Sequence, residues 1–212
     1  MASTITPLAP RFDRKVSIRF EGKQWQQIEA IAARHGVSPA HAARCLLEDL
    51  IDDHGLGERQ LAVIDIHTGL GPFGYGEIIC DHPPASPGMR IARTWFGDAV
   101  TSPDEGTSTS VPKHGLLDYL WHGVMGADSC FVTLEFGTYS TDRMFDALRR
   151  DHALHAGKQP LWQSEQTQSI KQAMRRQFHP DTPAWNAMVL FQGRQAIDQA
   201  LTGLNHPEAH TP

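Results

Sequence analysis

The stretch Ala62-Val63-Ile64-Asp65-Ile66-His67-Thr68-Gly69-Leu70-Gly71-Pro72-Phe73-Gly74-Tyr75-Gly76-Glu77 decides how this chain is read. An apolar run ends in a histidine, and a glycine-rich loop begins at once. Val63, Ile64 and Ile66 are β-branched and almost uninterrupted, which predicts a strand buried on both faces of a parallel sheet. Parallel sheets carry their chemistry just beyond the carboxyl ends of the strands, where His67 falls. Four glycines, Gly69, Gly71, Gly74 and Gly76, follow within nine residues. Such a loop lets backbone approach a ligand where a side chain would stand in the way. The plainer alternative is a core strand capped by a solvated histidine.

A second strand, Cys130-Phe131-Val132-Thr133-Leu134-Glu135-Phe136-Gly137-Thr138, ends in a comparable way. Glu135 interrupts an apolar run, and an ionised carboxylate there must be paired or hydrogen-bonded. A strand-end carboxylate beside a histidine can act as a general base toward a metal-bound water. Its plainer alternative is a glutamate that leaves the sheet toward solvent.

Together the two strings resemble the carboxy-terminal half of the zinc-carboxypeptidase-like hydrolases. The nearest likeness is to the bacterial family called domain of unknown function 2817, related in fold to aspartoacylase and succinylglutamate desuccinylase. The segments Asp142 to His155 and Ile170 to Phe178, and Trp185 at the head of the last helix, agree with it. The resemblance covers residues 58–204. It implies an α/β fold, a partial carboxypeptidase-like parallel or mixed sheet with helices. It also implies zinc, with His67 as a metal ligand, Glu135 as the catalytic glutamate, and Gly69, Gly71, Gly74, Gly76 and Glu77 in a substrate loop. The implied substrate is a peptide or acyl-amino-acid amide.

One departure bears on activity. Enzymes of that fold take two more zinc ligands from an upstream His-x-x-Glu motif, and none of the twelve histidines here has a glutamate three residues later. The upstream Asn-Arg pair is missing too, since asparagine occurs only at 186 and 205. Catalytic zinc normally has three protein ligands and an open position. The sequence therefore predicts weak zinc affinity and leaves catalysis uncertain. His152 and His155 end a helix and read as surface residues.

Before the hydrolase-like part, Arg14 to Phe20 alternates: Val16, Ile18 and Phe20 share one face, and Lys15, Ser17 and Arg19 the other. Trp25, Ile28 and Ile31 then follow a helical period, and Gly36 closes that helix. Ser38 and Pro39 open a second helix, with Ala42, Leu46 and Leu50 as its apolar stripe beside Ala43, Leu47 and Ile51. So small a core calls for a partner. The strand-helix-helix order of residues 13–53 resembles a ribbon-helix-helix module. That resemblance implies a homodimer through the amino-terminal strand, with Lys15, Ser17 and Arg19 facing DNA. A βαα piece packed on the hydrolase-like half is the competing reading. The net charge of −5 demands a local basic ribbon for any DNA contact.

Composition limits what remains. The chain has 212 residues, 40% of them hydrophobic, enough for one good core or two modest ones. Cys45, Cys80 and Cys130 are odd in number and widely spaced, which predicts a reducing, cytoplasmic setting and no thiolate zinc site. No run approaches the length of a membrane span. Residues 1–12 and 205–212 read as loose tails, and Asp53 to Glu58 as a hinge. Asp81 to Gly88 reads as a loop, and Asp98 to Ser110 as a polar loop flanking the site. Helices are expected over Leu116 to Met125, Thr141 to Ala156, Ser164 to Phe178 and Pro183 to Leu204. Three functions compete: a metal-dependent hydrolase with an impaired site, a dimeric DNA-binding regulator with a vestigial hydrolase domain, and an inactive product of gene rearrangement.

Overall fold

The computed structural model describes residues 22–156 and 161–205. The strand expected at Arg14 to Phe20, with its DNA-facing Lys15, Ser17 and Arg19, lies outside the described residues. The chain divides into two compact units, one made of residues up to 61 with Lys113–Ser129, the other of Ala62–Pro112 with the residues from Cys130 onward.

In the first unit, helix α1 spans Gly22–His35 and α2 spans Pro39–Asp53. Gly36 takes a positive φ of 67°, and Val37 N–H returns to the Ala32 carbonyl at 3.0 Å, a turn that ends α1. Ser38 caps α2 by accepting the His41 N–H at 3.2 Å, and Pro39 starts the first turn. Ile28 and Ala32 meet Ala42 and Ala43, with Ile31 and Val37 beside them. The expected α2 stripe is displaced. Leu46 and Leu50 are exposed, while Ala42, Ala43, Cys45 and Ile51 are buried. Alanines at the crossing let the two helices approach closely, and that choice rotates the leucines off the contact. The unit also holds a 3-10 turn at Leu56–Glu58 and a short helix, α4, at Asp118–Val124.

The second unit is a four-stranded mixed sheet with helices. Strands β1 (Ala62–Gly69), β2 (Gly76–Ile79), β3 (Val100–Thr101) and β4 (Cys130–Gly137) lie in the order β1-β4-β2-β3. The β1–β4 and β2–β3 pairs are parallel, and β2 runs antiparallel to β4. β4 is the central strand and is buried almost throughout. β1 was expected to be buried on both faces, yet among the described residues it pairs only with β4, at the end of the strand order, and Ile66 is 60% exposed.

Helix α3 (Pro87–Phe96), capped by Ser86, begins inside the loop expected over Asp81 to Gly88, because Ser86 and Pro87 form a helix start, and runs on through a stretch that the sequence pattern leaves unassigned. Helices α5 (Thr141–His155), α6 (Glu165–Phe178) and α7 (Pro183–Asn205) follow within a residue or two of expectation. The core joins Val132, Leu134 and Phe136 of β4 to Met89, Ile91, Ala92, Trp95 and Phe96 of α3, and to Trp185, Ala196 and Ala200 of α7. A Cβ on Gly203 would lie 2.3 Å from the Trp95 ring, so the small residues of α7 make room for that indole. No helix among the described residues is long and apolar enough to cross a membrane.

His82 is a buried titratable group of this unit. Its Nε2 accepts the Phe131 N–H at 3.1 Å, and only an unprotonated nitrogen can do so. Burial lowers its pKa from 6.5 to about 4. The folded state therefore keeps His82 neutral where the unfolded chain protonates it. Its contribution is complete above pH 6.5 and is lost as pH falls toward 4, on the order of 2–3 kcal/mol in all. Denaturant midpoints measured across that range should fall with acidification in the native protein. They should fall less in His82→Gln, whose amide oxygen can take the same N–H. Equal slopes in the two proteins would contradict this assignment.

Candidate functional site at the ends of the first and fourth strands

The register of β1 on β4 sets His67 directly against Glu135. Paired residues of neighbouring strands project to the same sheet face, and so do residues two apart in one strand. Asp65, His67 and Glu135 therefore share a face. His67 Nε2 lies 2.9 Å from Asp65 Oδ2, and His67 Nδ1 lies 3.9 Å from Glu135 Oε2. The imidazole is half exposed, with a carboxylate on each ring nitrogen. Glu135 is buried, 7% exposed, and its Oε1 accepts the Leu70 N–H at 3.0 Å. One carboxylate oxygen is thus held by the glycine-rich loop, and the other faces the histidine.

Glu77 extends this row. It opposes Glu135 across the antiparallel β2–β4 pair, so three polar side chains stand side by side on three strands. Like charges opposed across strands repel, and Glu77 is compensated from its far side. Its Oε1 accepts the Thr101 hydroxyl at 2.6 Å and the Thr109 N–H at 3.0 Å, and its Oε2 accepts the Thr109 hydroxyl. Burial works to raise the Glu77 carboxyl. The hydroxyls of Thr101, Thr109 and Ser108 and the Thr109 amide outweigh it and hold the group below the ordinary carboxylate range. The segment Asp98 to Ser110, expected as a polar loop beside the site, is therefore tied to the sheet through Glu77. Val100–Thr101 near its start is the short strand β3.

The glycines have more specific duties than open access to a ligand. The loop Gly69 to Tyr75 folds over the end of β4: Gly74 N–H donates to Gly137 O at 2.9 Å, and Gly137 N–H donates to Tyr75 O at 3.0 Å. A Cβ on Gly137 would sit 1.9 Å from the Pro72 carbonyl oxygen, so no larger residue closes this loop. Gly76 N–H and Gly74 O are clamped by the Gln192 amide at 2.8 and 2.7 Å. Gly71, at φ +94°, has only Thr109 Oγ1 within 4 Å of a notional Cβ. Of the four loop glycines it keeps the most open surroundings toward the face of the site. Gly69 rests on Phe178 and Met144, and Gly76 on Phe136.

The fit to a catalytic zinc is poor. Among the described residues no group of three or more His, Cys, Asp or Glu side chains could hold a metal ion. His67 brings one imidazole, and its Nε2 is engaged by Asp65. The lone pair of His82 is taken by Phe131. His155 Nε2 lies 2.8 Å from Lys171 Nζ on α6, and Lys171 is also 2.7 Å from Asp151. Cys80 and Cys130 are fully buried, and burial pushes the Cys130 thiol well up, away from thiolate chemistry.

Sequence reasoning singled out His67 and Glu135 but not Asp65 as a partner. The signal was present, because Asp65 stands two residues before His67 and strand periodicity places both on one face. The direct opposition of Glu77 and Glu135 depends on antiparallel register, which no local pattern reveals.

The model of a protein family described as Protein of unknown function (DUF2817) matches residues 14–192. The chain belongs to this family. The DUF2817 match includes the helices of the first unit as well as the sheet of the second. Comparison with curated proteins and with solved structures returns no match. The DUF2817 description names no activity, so the chemistry must be argued from the side chains.

Glu77→Gln should loosen the Ser102–Ser110 loop, since the neutral amide is a weaker acceptor for two hydroxyls and an N–H. The expected loss is about 1–3 kcal/mol, together with faster amide exchange at Thr109. Because the folded pKa is lowered, the native protein's advantage over the variant should shrink as acid protonates Glu77. An unchanged exchange rate at Thr109 would show that Glu77 does not hold the loop.

Proposed function

We propose that this chain is a hydrolase-like protein that binds a peptide or acyl-amino-acid amide at the His67–Glu135 face and has weak catalytic capacity. The observation carrying the proposal is the opposition of His67 and Glu135 in register at the ends of parallel strands, beside a glycine-rich loop. Glu135 is suited to a general base. One of its oxygens is fixed by Leu70 N–H, and the other, which faces His67, would take a proton from a water held beside the imidazole. His67, whose Nε2–H donates to Asp65, would orient that water by accepting a hydrogen bond from it at Nδ1. Gly71, next to the Leu70 amide that holds Glu135, offers backbone at the same face. General-base assistance alone is worth roughly 10²- to 10⁴-fold, far below a complete metallohydrolase, and the ligand count supports no metal-dependent step.

The test is hydrolysis of N-acyl amino acids and short peptides by the full chain, by Glu135→Gln and by His67→Ala. Slow turnover should fall by roughly 10²-fold or more in Glu135→Gln, while substrate binding persists. Turnover unchanged by Glu135→Gln would remove the base assignment. Zinc should not survive dialysis at stoichiometric level. Zinc that is retained, and then lost in His67→Ala, would contradict the impaired-site reading and point to ligands from elsewhere.

A further inference from the structure

We infer that the rim of the His67–Glu135 site carries a subsite for the carboxylate of the ligand, built from Arg143 lying over Tyr139 with Phe73 beside it. The inference narrows the ligand class to amides that bear a free carboxylate, and it rests on the proposed function for the amide itself.

Among the described residues of this unit, two cations lie over aromatic rings. Lys171 Nζ is 5.4 Å from the Trp162 ring centre, and its charge is already answered by Asp151 at 2.7 Å. Arg143 Cζ is 4.3 Å from the Tyr139 ring centre. Arg143 is exposed, and among the described residues no carboxylate pairs with it. Asp146, one turn further along α5, is taken by Arg150 at 2.9 Å. A guanidinium resting on a ring keeps its N–H donors at its own edge, where they can grip a carboxylate with two parallel bonds. The ring also holds the side chain in place before a ligand arrives, so less entropy is lost on binding.

Backbone geometry puts this cluster at the site. Gly137 stands two residues after Glu135 in β4, so its Cβ direction is that of the Glu135 side chain. The carbonyl oxygens of Gly71 and Pro72 fill that direction. The loop therefore lies on the site's own sheet face, just beyond Glu135, and Phe73 follows Pro72 at once. The Phe73 ring, 41% exposed, is 5.9 Å from the Tyr139 ring. Tyr139 is four residues beyond Glu135, and Phe73 three beyond Leu70, whose amide holds Glu135. Four residues span about 14 Å at most, so a short peptide or acyl amino acid with its amide at Glu135 can reach the cluster.

Charge argues the same way. Asp65, Glu77 and Glu135 put carboxylates on this face, and they repel a ligand carboxylate from the depth of the site. Arg143 at the rim draws that carboxylate outward, which turns the amide toward Glu135 and His67. The rings of Phe73 and Tyr139 offer apolar contact to the ligand side chain next to the carboxylate.

Benzoate, a carboxylate on a ring, and benzamide, its neutral counterpart, probe the subsite apart from the amide chemistry. In the ¹⁵N-labelled full chain, benzoate should displace the Arg143 Nε–H and Tyr139 amide resonances saturably, and benzamide should bind roughly tenfold more weakly or less. Inorganic phosphate, which has charge without a ring, should also bind more weakly than benzoate. Arg143→Gln, with an unchanged melt as its folding control, should lose the preference for benzoate, and Arg143→Lys should recover part of it. N-Acetylphenylalanine should shift Arg143 and Leu70 with one dissociation constant. Equal binding of benzoate and benzamide, a preference that survives Arg143→Gln, or phosphate that binds as tightly as benzoate would overturn the subsite. So would N-acetylphenylalanine shifts at Arg143 that leave Leu70 unmoved, since the cluster would then stand apart from the site. Hydrolysis indifferent to Glu135→Gln, with the Arg143 response to benzoate intact, would instead sink the proposed function and leave the subsite standing.

Discussion

The burial of one carboxylate organises the second unit. Glu135 sits on the central strand, where an uncompensated charge would cost several kcal/mol. Compensation arrives from both sides, through the Leu70 N–H on one oxygen and the His67 imidazole near the other. The Leu70 amide can reach it only because the loop after β1 turns back over the end of β4. That turn in turn needs Gly137, against which Pro72 leaves no room for a side chain. Strand register, loop conformation and site geometry are therefore one arrangement. A substitution at Gly137 would disturb the site while touching none of its polar atoms.

Beside this centre lies a second buried carboxylate, Glu77, whose oxygens are taken up by protein donors. Protein hydroxyls replace water around Glu77, so it stays ionised next to Glu135 and pins the Ser102–Ser110 loop to the sheet edge. The difference between the two glutamates is one of role. Glu77 spends both oxygens on structure, and Glu135 keeps one directed at the half-exposed histidine.

Much of this was legible in the sequence, and the limits have physical causes. The strand ends at His67 and Glu135 announce themselves through apolar runs, and α5, α6 and α7 lie within a residue or two of the expected spans. Ser38-Pro39 marks α2 correctly. What stays hidden depends on distant partners. β1 reads as doubly buried because its composition is apolar, whereas among the described residues the strand order puts it at the end of the sheet with Ile66 exposed. Leu46 and Leu50 read as core, and the close alanine contact between α1 and α2 turns them outward. The Glu77–Glu135 opposition is a matter of register, set by long-range pairing across the sheet.

The central claim is that His67, Glu135 and the Leu70 amide form one ligand-binding centre. Amide chemical shifts of the ¹⁵N-labelled full chain, recorded while an N-acyl amino acid is added, address it most directly. The account predicts saturable shifts at Leu70 and Gly71 that share one dissociation constant with the His67 imidazole resonances. In Glu135→Gln the Leu70 resonance should already be displaced before any ligand is present. Shifts confined to other parts of the chain, or a Leu70 amide indifferent to Glu135→Gln, would contradict it.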